Sequence, residues 1–434
     1  MLIQKTTALL LLGLAVRECF SFWTGHPSDF ELWVRMGYAM IHGGNPYGVL
    51  SSVPGLSYAN VFSFNNAPTI AYLPFWPIVT AAMFALYSAI GVQNRFVYYF
   101  LLKQPVIMGD IAVAYLLYSY VSVRKSAAAG LWAMAFWLFS PFTLIISSVW
   151  GMFDSIAISF MIISLMSTRR LARSIWTGLA IFVKSIPIIY AAPTALKRPA
   201  SARDAMYLLV AVGLPVLLSA AIFFILKWPM STVGGTLGST VGKGGESMSI
   251  WDALPYLNYL GLSVPAPEMY DALGYAWIPA VFVFTITAFR RFGTESDHGL
   301  IQTLLVCTFA FLIFKAQITE QYALYFFSLA VIDVGLWHPE RKWMLLGGVG
   351  VAMVYLVVNN FFLLRFLSPV YPGFVNFESA LQSQIGPERN AVDFLAGTAF
   401  TLLNVKYLMA VLRRGSVGPD ELNRFVGEVH QGKP

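Results

Sequence analysis

The chain is a succession of long apolar runs separated by short polar turns. Runs of about 20 residues, the length an α-helix needs to cross a bilayer, fall near 5–22, 69–91, 97–121, 127–148, 152–167, 174–195, 204–226, 274–289, 300–315, 322–337, 343–364 and 392–412. A membrane β-barrel would instead show alternating strands of about ten residues, and no such alternation is visible. The pattern predicts an all-α polytopic membrane protein with roughly 12 transmembrane helices. Its first run, TTALLLLGLAV, continues into Arg17 and Glu18 without a small-residue cleavage motif, so it reads as an uncleaved anchor.

Three stretches interrupt the apolar pattern: 23–68, 227–273 and 365–391, all rich in Gly, Pro and aromatic residues. Basic residues cluster instead at segment ends, as Arg290/Arg291, Arg341/Lys342 and Arg413/Arg414. Such clusters orient helices toward the cytoplasm, so the net charge of +7 needs no nucleic-acid partner. If the late segments all cross, the three long loops lie outside. The chain then divides into a transmembrane module 1–226 containing the external loop 23–68, an external loop 227–273, a second module 274–412 and a cytoplasmic tail 413–434. With every early segment crossing, Arg124/Lys125 and Arg169/Arg170 fall outside, against the charge rule. A re-entrant 69–91, which Pro74 and Pro77 permit, reverses those turns. The sequence leaves both arrangements open. Charged residues are only 11% of the chain, against about 25% in soluble domains. Cys19 and Cys307 lie in separate apolar segments, which argues against a disulfide or zinc site.

One polar stretch, HPSDFELWVRMGYAMIHGGNPY, follows the first run from His26 to Tyr47. Ser28 with Glu31 three residues on is a capping-box pattern. A helix starting there would lie in the membrane interface, with Glu31, Arg35, Tyr38 and His42 on a polar stripe. Phe30, Val34, Gly37 and Ile41 would face the other way, and Gly43-Gly44 would end it before Asn45-Pro46-Tyr47. Glu31 can cap this helix and pair with Arg35 at i,i+4. Asp29, in the first turn, serves either the helix dipole or chemistry.

Charges also occur inside apolar runs. Lys103 and Asp110 stand seven apart on one helix face, Asp154 follows a Gly turn, Lys184 interrupts GLAIFVKSIPIIY, and Lys315 and Glu320 bracket KAQITE. Intramembrane charges are costly and are functional candidates by default. The alternatives are a structural Lys103–Asp110 pair and lysines that snorkel from segment ends.

At these residues the chain resembles the GT-C superfamily of integral-membrane glycosyltransferases. Within it, the chain is most similar to the GPI mannosyltransferase I family and its prokaryotic relatives. The family's opening acidic motif, in-plane helix and G-x-x-P-Y turn match Asp29, the helix after it and Gly43 to Tyr47. Tyr72-Leu73-Pro74 matches a Tyr-x-Pro element, and Lys103 with Asp110 matches a Lys and Asp seven apart. Pro141 through Gly151-Met152-Phe153-Asp154-Ser155-Ile156 matches a Pro-led stretch ending in G-x-x-D-S-I. Gly178-Leu179-Ala180 to Lys184 and Pro187 matches G-x-A-x-x-x-K-x-x-P, and Lys315 precedes Gln321-Tyr322 as a family Lys precedes Q-Y, with one extra residue. The likeness fades across 227–273 and beyond 340, and Pro27 replaces the first Asp of the family's D-x-D pair.

The resemblance implies transfer of a sugar, mannose by the family's inclination, from a polyprenyl- or dolichyl-phosphate carrier to a hydroxyl of a glycolipid or glycan. It implies Asp29 as general base. Arg35, Tyr47, Tyr72, Lys103, Asp110, Asp154, Lys184, Lys315, Glu320, Gln321, Tyr322 and Arg365 become substrate-binding candidates. Lys315 and Arg365 suit the donor phosphate. Trp251, Tyr256, Tyr259 and Tyr270 either stack on sugars or anchor the interface. No cofactor is required, and a divalent ion on Asp29 and a second carboxylate stays open. The chain lacks an N-x-[ST] sequon, which fits the plasma membrane of a prokaryote, with the site extracytoplasmic. The competing readings are a secondary transporter and a lipid-carrier flippase; the absence of paired repeat halves speaks against the first.

Overall fold

The computed structural model describes residues 2–57, 70, 72–197, 201–229, 247–252, 256–257 and 274–413. Among them every regular element is helical. In chain order these are α1 (Leu2–Ser21), α2 (Pro27–Ile41), α3 (Phe75–Ile90), α4 (Arg95–Arg124), α5 (Ala127–Phe139), α6 (Pro141–Leu144), α7 (Asp154–Met166), α8 (Arg170–Val183), α9 (Ala191–Ala195) and α10 (Ala202–Ile225). The second module adds α11 (Trp277–Phe292), α12 (Asp297–Phe314), α13 (Ala323–Leu336), α14 (Lys342–Asn359) and α15 (Gly373–Arg413). Local chemistry sets many boundaries. Asn94, Ser126 and Ser296 cap α4, α5 and α12 by accepting from backbone N–H groups, and Ser201 with Asp204 closes a capping box on α10.

The chain is an integral membrane protein. Among the described residues five helices are long and apolar enough to cross a bilayer, six if α5 and Pro141–Trp150, bent by 49°, form one span. Of the remaining apolar runs, α1 is an unbroken 20-residue helix that carries Lys5, Arg17 and Glu18, and the others fold as shorter or broken pieces, so the count of roughly 12 spanning helices is not confirmed. The run 174–195 shows why: α8 stops at Lys184, whose backbone is extended, and Ile186–Tyr190 continues as a 3₁₀ turn into α9. The stretch 365–391 departs from the loop reading, because α15 already begins at Gly373 and runs for 41 residues.

The bundle has two chemically different ends. α4 is about 45 Å long at 1.5 Å per residue, and Arg124 at its C-terminus pairs with Asp297 at 2.6 Å. Thr294 donates to the Leu196 carbonyl at 2.8 Å, Arg170 pairs with Asp204, and Arg341 donates to the Ala410 carbonyl at 3.0 Å. Arg124/Lys125, Arg169/Arg170, Arg290/Arg291, Arg341/Lys342 and Arg413 therefore gather at one end. The opposite end holds α2 and α3 side by side. Trp33 meets Trp76, Tyr38 meets Phe84, and a Cβ on Gly37 would lie 2.8 Å from the Thr80 carbonyl. Both ends of α3 stay there, since Trp76 stacks on Phe153 and Tyr87 touches Tyr98 in the first turn of α4. With α3 kept at this end, the early basic turns join the late ones, which is the re-entrant alternative.

Candidate active site

Helix α2 does not open with the capping box. Its N-cap is His26, with Pro27 at the first helical position, and Ser28 Oγ bonds His26 Nδ1 at 3.0 Å instead. Proline suits that place because the first N–H has no helical partner. Nor is the helix divided into wet and dry stripes over its first half. Phe30, Val34 and Glu31 are all fully buried, and Arg35 nearly so. The Glu31–Arg35 pair does form, at 2.6 Å, and Arg35 also donates to the Leu50 carbonyl at 3.2 Å. These two residues fasten α2 to the chain beyond it. Tyr47 extends the same fastening, packing on Phe223 and Trp228 and donating to the Tyr72 carbonyl at 3.0 Å.

Asp29 projects from the first turn into a ring of aromatic and polar groups. Its Oδ2 accepts from Trp150 Nε1 at 2.7 Å and lies 3.1 Å from His26 Nδ1. His26 stacks on the Trp150 ring with centroids 4.9 Å apart. Burial alone would raise the Asp29 carboxyl, but the neighbouring His26, the Trp150 N–H and the more distant Lys184 outweigh it and hold it below the usual carboxylate value. Asp29 is thus ionised and oriented, with a fifth of its side chain exposed.

Trp150 owes its position to an irregular helix. After α6 the chain forms a π turn over Ile145–Trp150, closed by Gly151 at φ +99°. A side chain on Gly151 would meet Phe30 at 2.7 Å, so α2 can approach only a glycine. The carbonyls of Ser148 and Val149, in the same turn, accept from Lys103 Nζ at 2.7 and 3.1 Å. Thr24 supplies two further oxygens to that ammonium, at 2.7 and 2.8 Å. Lys103 therefore joins the end of α1 to the π turn.

Lys103 and Asp110 share a face of α4, yet they do not pair. Asp110 takes Arg17 Nε at 2.7 Å, Trp137 Nε1 at 3.1 Å and Ser147 Oγ at 2.5 Å, all buried. The structural-pair reading is corrected accordingly: each charge found closer partners on α1, α5 and the π turn. Arg17, not among the residues singled out from the motifs, completes the buried pair.

Asp154 and Lys184 meet across α7 and the end of α8 at 2.8 Å, both buried. Lys184 Nζ lies 4.7 Å from the Phe153 ring centre and 5.8 Å from that of Tyr72. Tyr72, Tyr322 and Tyr325 are within electrostatic reach of Asp154, and Tyr72 is within reach of Asp29 as well. Glu320, in the 3₁₀ turn with Gln321 and Tyr322, accepts from Asn359 at 2.7 Å and Asn360 at 3.3 Å. Arg365 pairs with Glu378, and its segment joins the site through Gly25 N–H to Phe366 O at 2.9 Å. The fold thus brings Asp29, Tyr72, Asp154, Lys184, Glu320, Tyr322 and Arg365 to one region. Lys315 ends α12 buried, 5.9 Å from the Trp277 ring.

Beside this polar region runs an apolar groove of about 310 Å³, lined among others by Phe20, Trp23, Leu144, Val149, Leu363 and Phe366. Phe366 also packs on Trp150 at 5.4 Å, so Phe366 and the Trp150 indole together link the groove to Asp29. Trp251 donates to the Ile313 carbonyl at 2.8 Å and Tyr256 stacks on Phe394, which gives both an anchoring contact. Tyr259 and Tyr270 lie outside the described residues. Among the described residues no three His, Cys, Asp or Glu side chains converge as metal ligands.

Compared with known proteins, the chain is 23% identical to GPI mannosyltransferase 1 of Saccharomyces cerevisiae (strain ATCC 204508 / S288c) over 310 residues, 66% of this chain and 75% of that one. The GT-C likeness is borne out. No protein-family model matches the chain. Its structure also aligns with ArnT from Cupriavidus metallidurans, solved bound to undecaprenyl phosphate, at a TM-score of 0.48 and 13% identity, covering 95% of this chain and 77% of that one. Of the residues in the candidate site, His26 and Trp150 were missed by the motif reading. An H-x-x-D pair at a helix start and a lone Trp before G-x-x-D were the available signals.

Proposed function

We propose that this protein transfers a sugar from a polyprenyl-phosphate carrier to a hydroxyl of a glycolipid or glycan, with Asp29 as general base. One observation supports the reading: the Trp150 indole holds the Asp29 carboxylate on one side and packs on the other against Phe366, which lines an apolar groove. A lipid phosphate sugar needs that combination, because its isoprenoid tail must stay in an apolar channel while its sugar reaches a polar site. The acceptor O–H would give its proton to Asp29 as its oxygen bonds to the anomeric carbon. The bond from that carbon to the phosphate oxygen breaks, and the phosphate leaves with the electron pair. Arg365, one residue from the groove-lining Phe366, is the first candidate to neutralise that phosphate, with Lys184 and Lys315 next. The likeness to a protein named as a mannosyltransferase favours mannose.

The gathering of basic turns at the far end favours that end as cytoplasmic and the site as extracytoplasmic. In a Cys19→Ser background, Ser52→Cys should react with an impermeant thiol reagent on intact cells, and Thr168→Cys only after disruption. The reverse pattern would overturn the sidedness. Function is tested by offering the purified protein a panel of polyprenyl-phosphate sugars and lipid acceptors in detergent, with no ion gradient. Sugar transfer there separates an enzyme from a transporter or flippase, and its absence across the panel would sink the proposal.

A further inference from the structure

The basic end contains a feature that the transfer reaction does not use. Between the α7–α8 turn and the start of α10 lies an open cavity of about 660 Å³, lined by Arg169, Arg170, Lys197, Arg203, Asp204 and Tyr207 among others. Asp204 is the one carboxylate in that lining, and both its oxygens are taken. Oδ1 receives Arg170, and Oδ2 receives the Ser201 N–H and hydroxyl at 2.9 Å each. Arg169, Lys197 and Arg203 are exposed and make no ion pair among the described residues. The cavity therefore faces its opening with unneutralised positive charge. Its rim continues into outward-facing apolar side chains: Leu171 and Ile175 on α8, then Met206, Leu209 and Val216 on α10.

A concave basic pocket that opens onto an apolar, bilayer-facing helix surface matches one chemistry well, a phosphate carried on acyl chains. We infer that this cavity seats the phosphoryl headgroup of an acidic phospholipid, with Arg169, Lys197 and Arg203 on the phosphate and the α8–α10 face along the chains. Arg170 and Asp204 hold the pocket's shape rather than the lipid. The inference is independent of the transferase reading, since it uses no residue of the Asp29 region.

The test uses the full chain in nanodiscs of zwitterionic phosphatidylcholine containing a minor fraction of phosphatidylglycerol. Retained lipid is read by native mass spectrometry after release. The Arg169→Gln/Lys197→Gln/Arg203→Gln variant should lose phosphatidylglycerol retention by roughly ten- to a hundredfold, the scale for removing several basic contacts to an anionic headgroup. A charge-matched control, Lys125→Gln/Arg291→Gln/Lys342→Gln, removes three exposed basic residues from the same end but outside the cavity. It should retain the lipid as the wild type does. Equal loss in both variants would reduce the effect to diffuse charge and overturn the site, as would undiminished retention in the cavity variant. Inorganic phosphate at millimolar concentration should fail to displace the lipid; full displacement would make the site one for a soluble anion and overturn the lipid assignment. An unchanged melting temperature of both variants in pure phosphatidylcholine shows that folding is not being read.

Discussion

Replacing Trp150 by Phe would keep an aromatic ring against His26 and Phe366 while removing the N–H that reaches Asp29 Oδ2 at 2.7 Å. A hydrogen bond to a charged group contributes about 1.5–3 kcal/mol. At 1.36 kcal/mol per pH unit, its loss should raise the Asp29 carboxyl by about one to two pH units. The sign follows from the balance at this residue. Burial pushes Asp29 up, His26 and Trp150 pull it down, and removing one of the two lets burial gain. Asp29 acts as a base only when ionised, so activity is present above its pKa and lost as pH falls through it. The acid limb of kcat/KM for sugar transfer should move to higher pH by that interval, while donor affinity near neutrality stays within about twofold. The profile is measured on purified protein in detergent, with donor binding followed in parallel. An unmoved acid limb would refute the assignment of Asp29 as the titrating base, and lost donor affinity would place Trp150 in the donor site instead.

Asp29→Asn should reduce turnover by roughly 10²–10⁴-fold with donor binding retained; a folded, donor-binding variant of near-normal turnover would leave Asp29 a helix-dipole acid. Glu31→Gln is expected to lower stability by about 3–5 kcal/mol, because it takes the carboxylate charge from the buried Arg35 guanidinium, and a thermal melt would show it. Gly151→Ala should cost about 2–4 kcal/mol, from a left-handed backbone together with a clash on Phe30. Gly43→Ala, whose added Cβ meets nothing within 4 Å, should cost less in the same melt.

Much of this was legible in the chain. Apolar run length gave the fold class, and charge-bearing motifs marked Asp29, Asp154 and Lys184, which the fold brings into one region. Partner choice was not legible. Lys103 and Asp110 have ideal spacing for a shared face, but whether they bond depends on what the neighbouring helices bring, and Arg17 and the π-turn carbonyls arrive first. Ser28 and Glu31 had the capping pattern, yet the helix starts two residues earlier, with His26 as N-cap and Pro27 first, and Glu31 is left to Arg35. The run 365–391 read as a loop because its polar residues hide a helical continuation of a span. The count of roughly 12 spans is not confirmed for a related reason: hydropathy records how greasy a segment is and says nothing about where its backbone breaks.

The π turn at Ile145–Trp150 has a consequence of phase. A regular α-helix turns by about 100° per residue, so a widened turn changes the angle at which everything after it points. Here the widened turn aims two carbonyls at Lys103 and an indole at Asp29 within three consecutive residues. Deleting one residue from 145–149 should restore an ordinary helix of nearly the same length and hydropathy. It would also swing Trp150 about a quarter-turn away from the carboxylate. Insertion of such a segment into a membrane would be unaffected, and so would its helical content. Register, a property invisible to both, is what connects the buried lysine to the acid, and a single-residue deletion is the smallest change that would separate them.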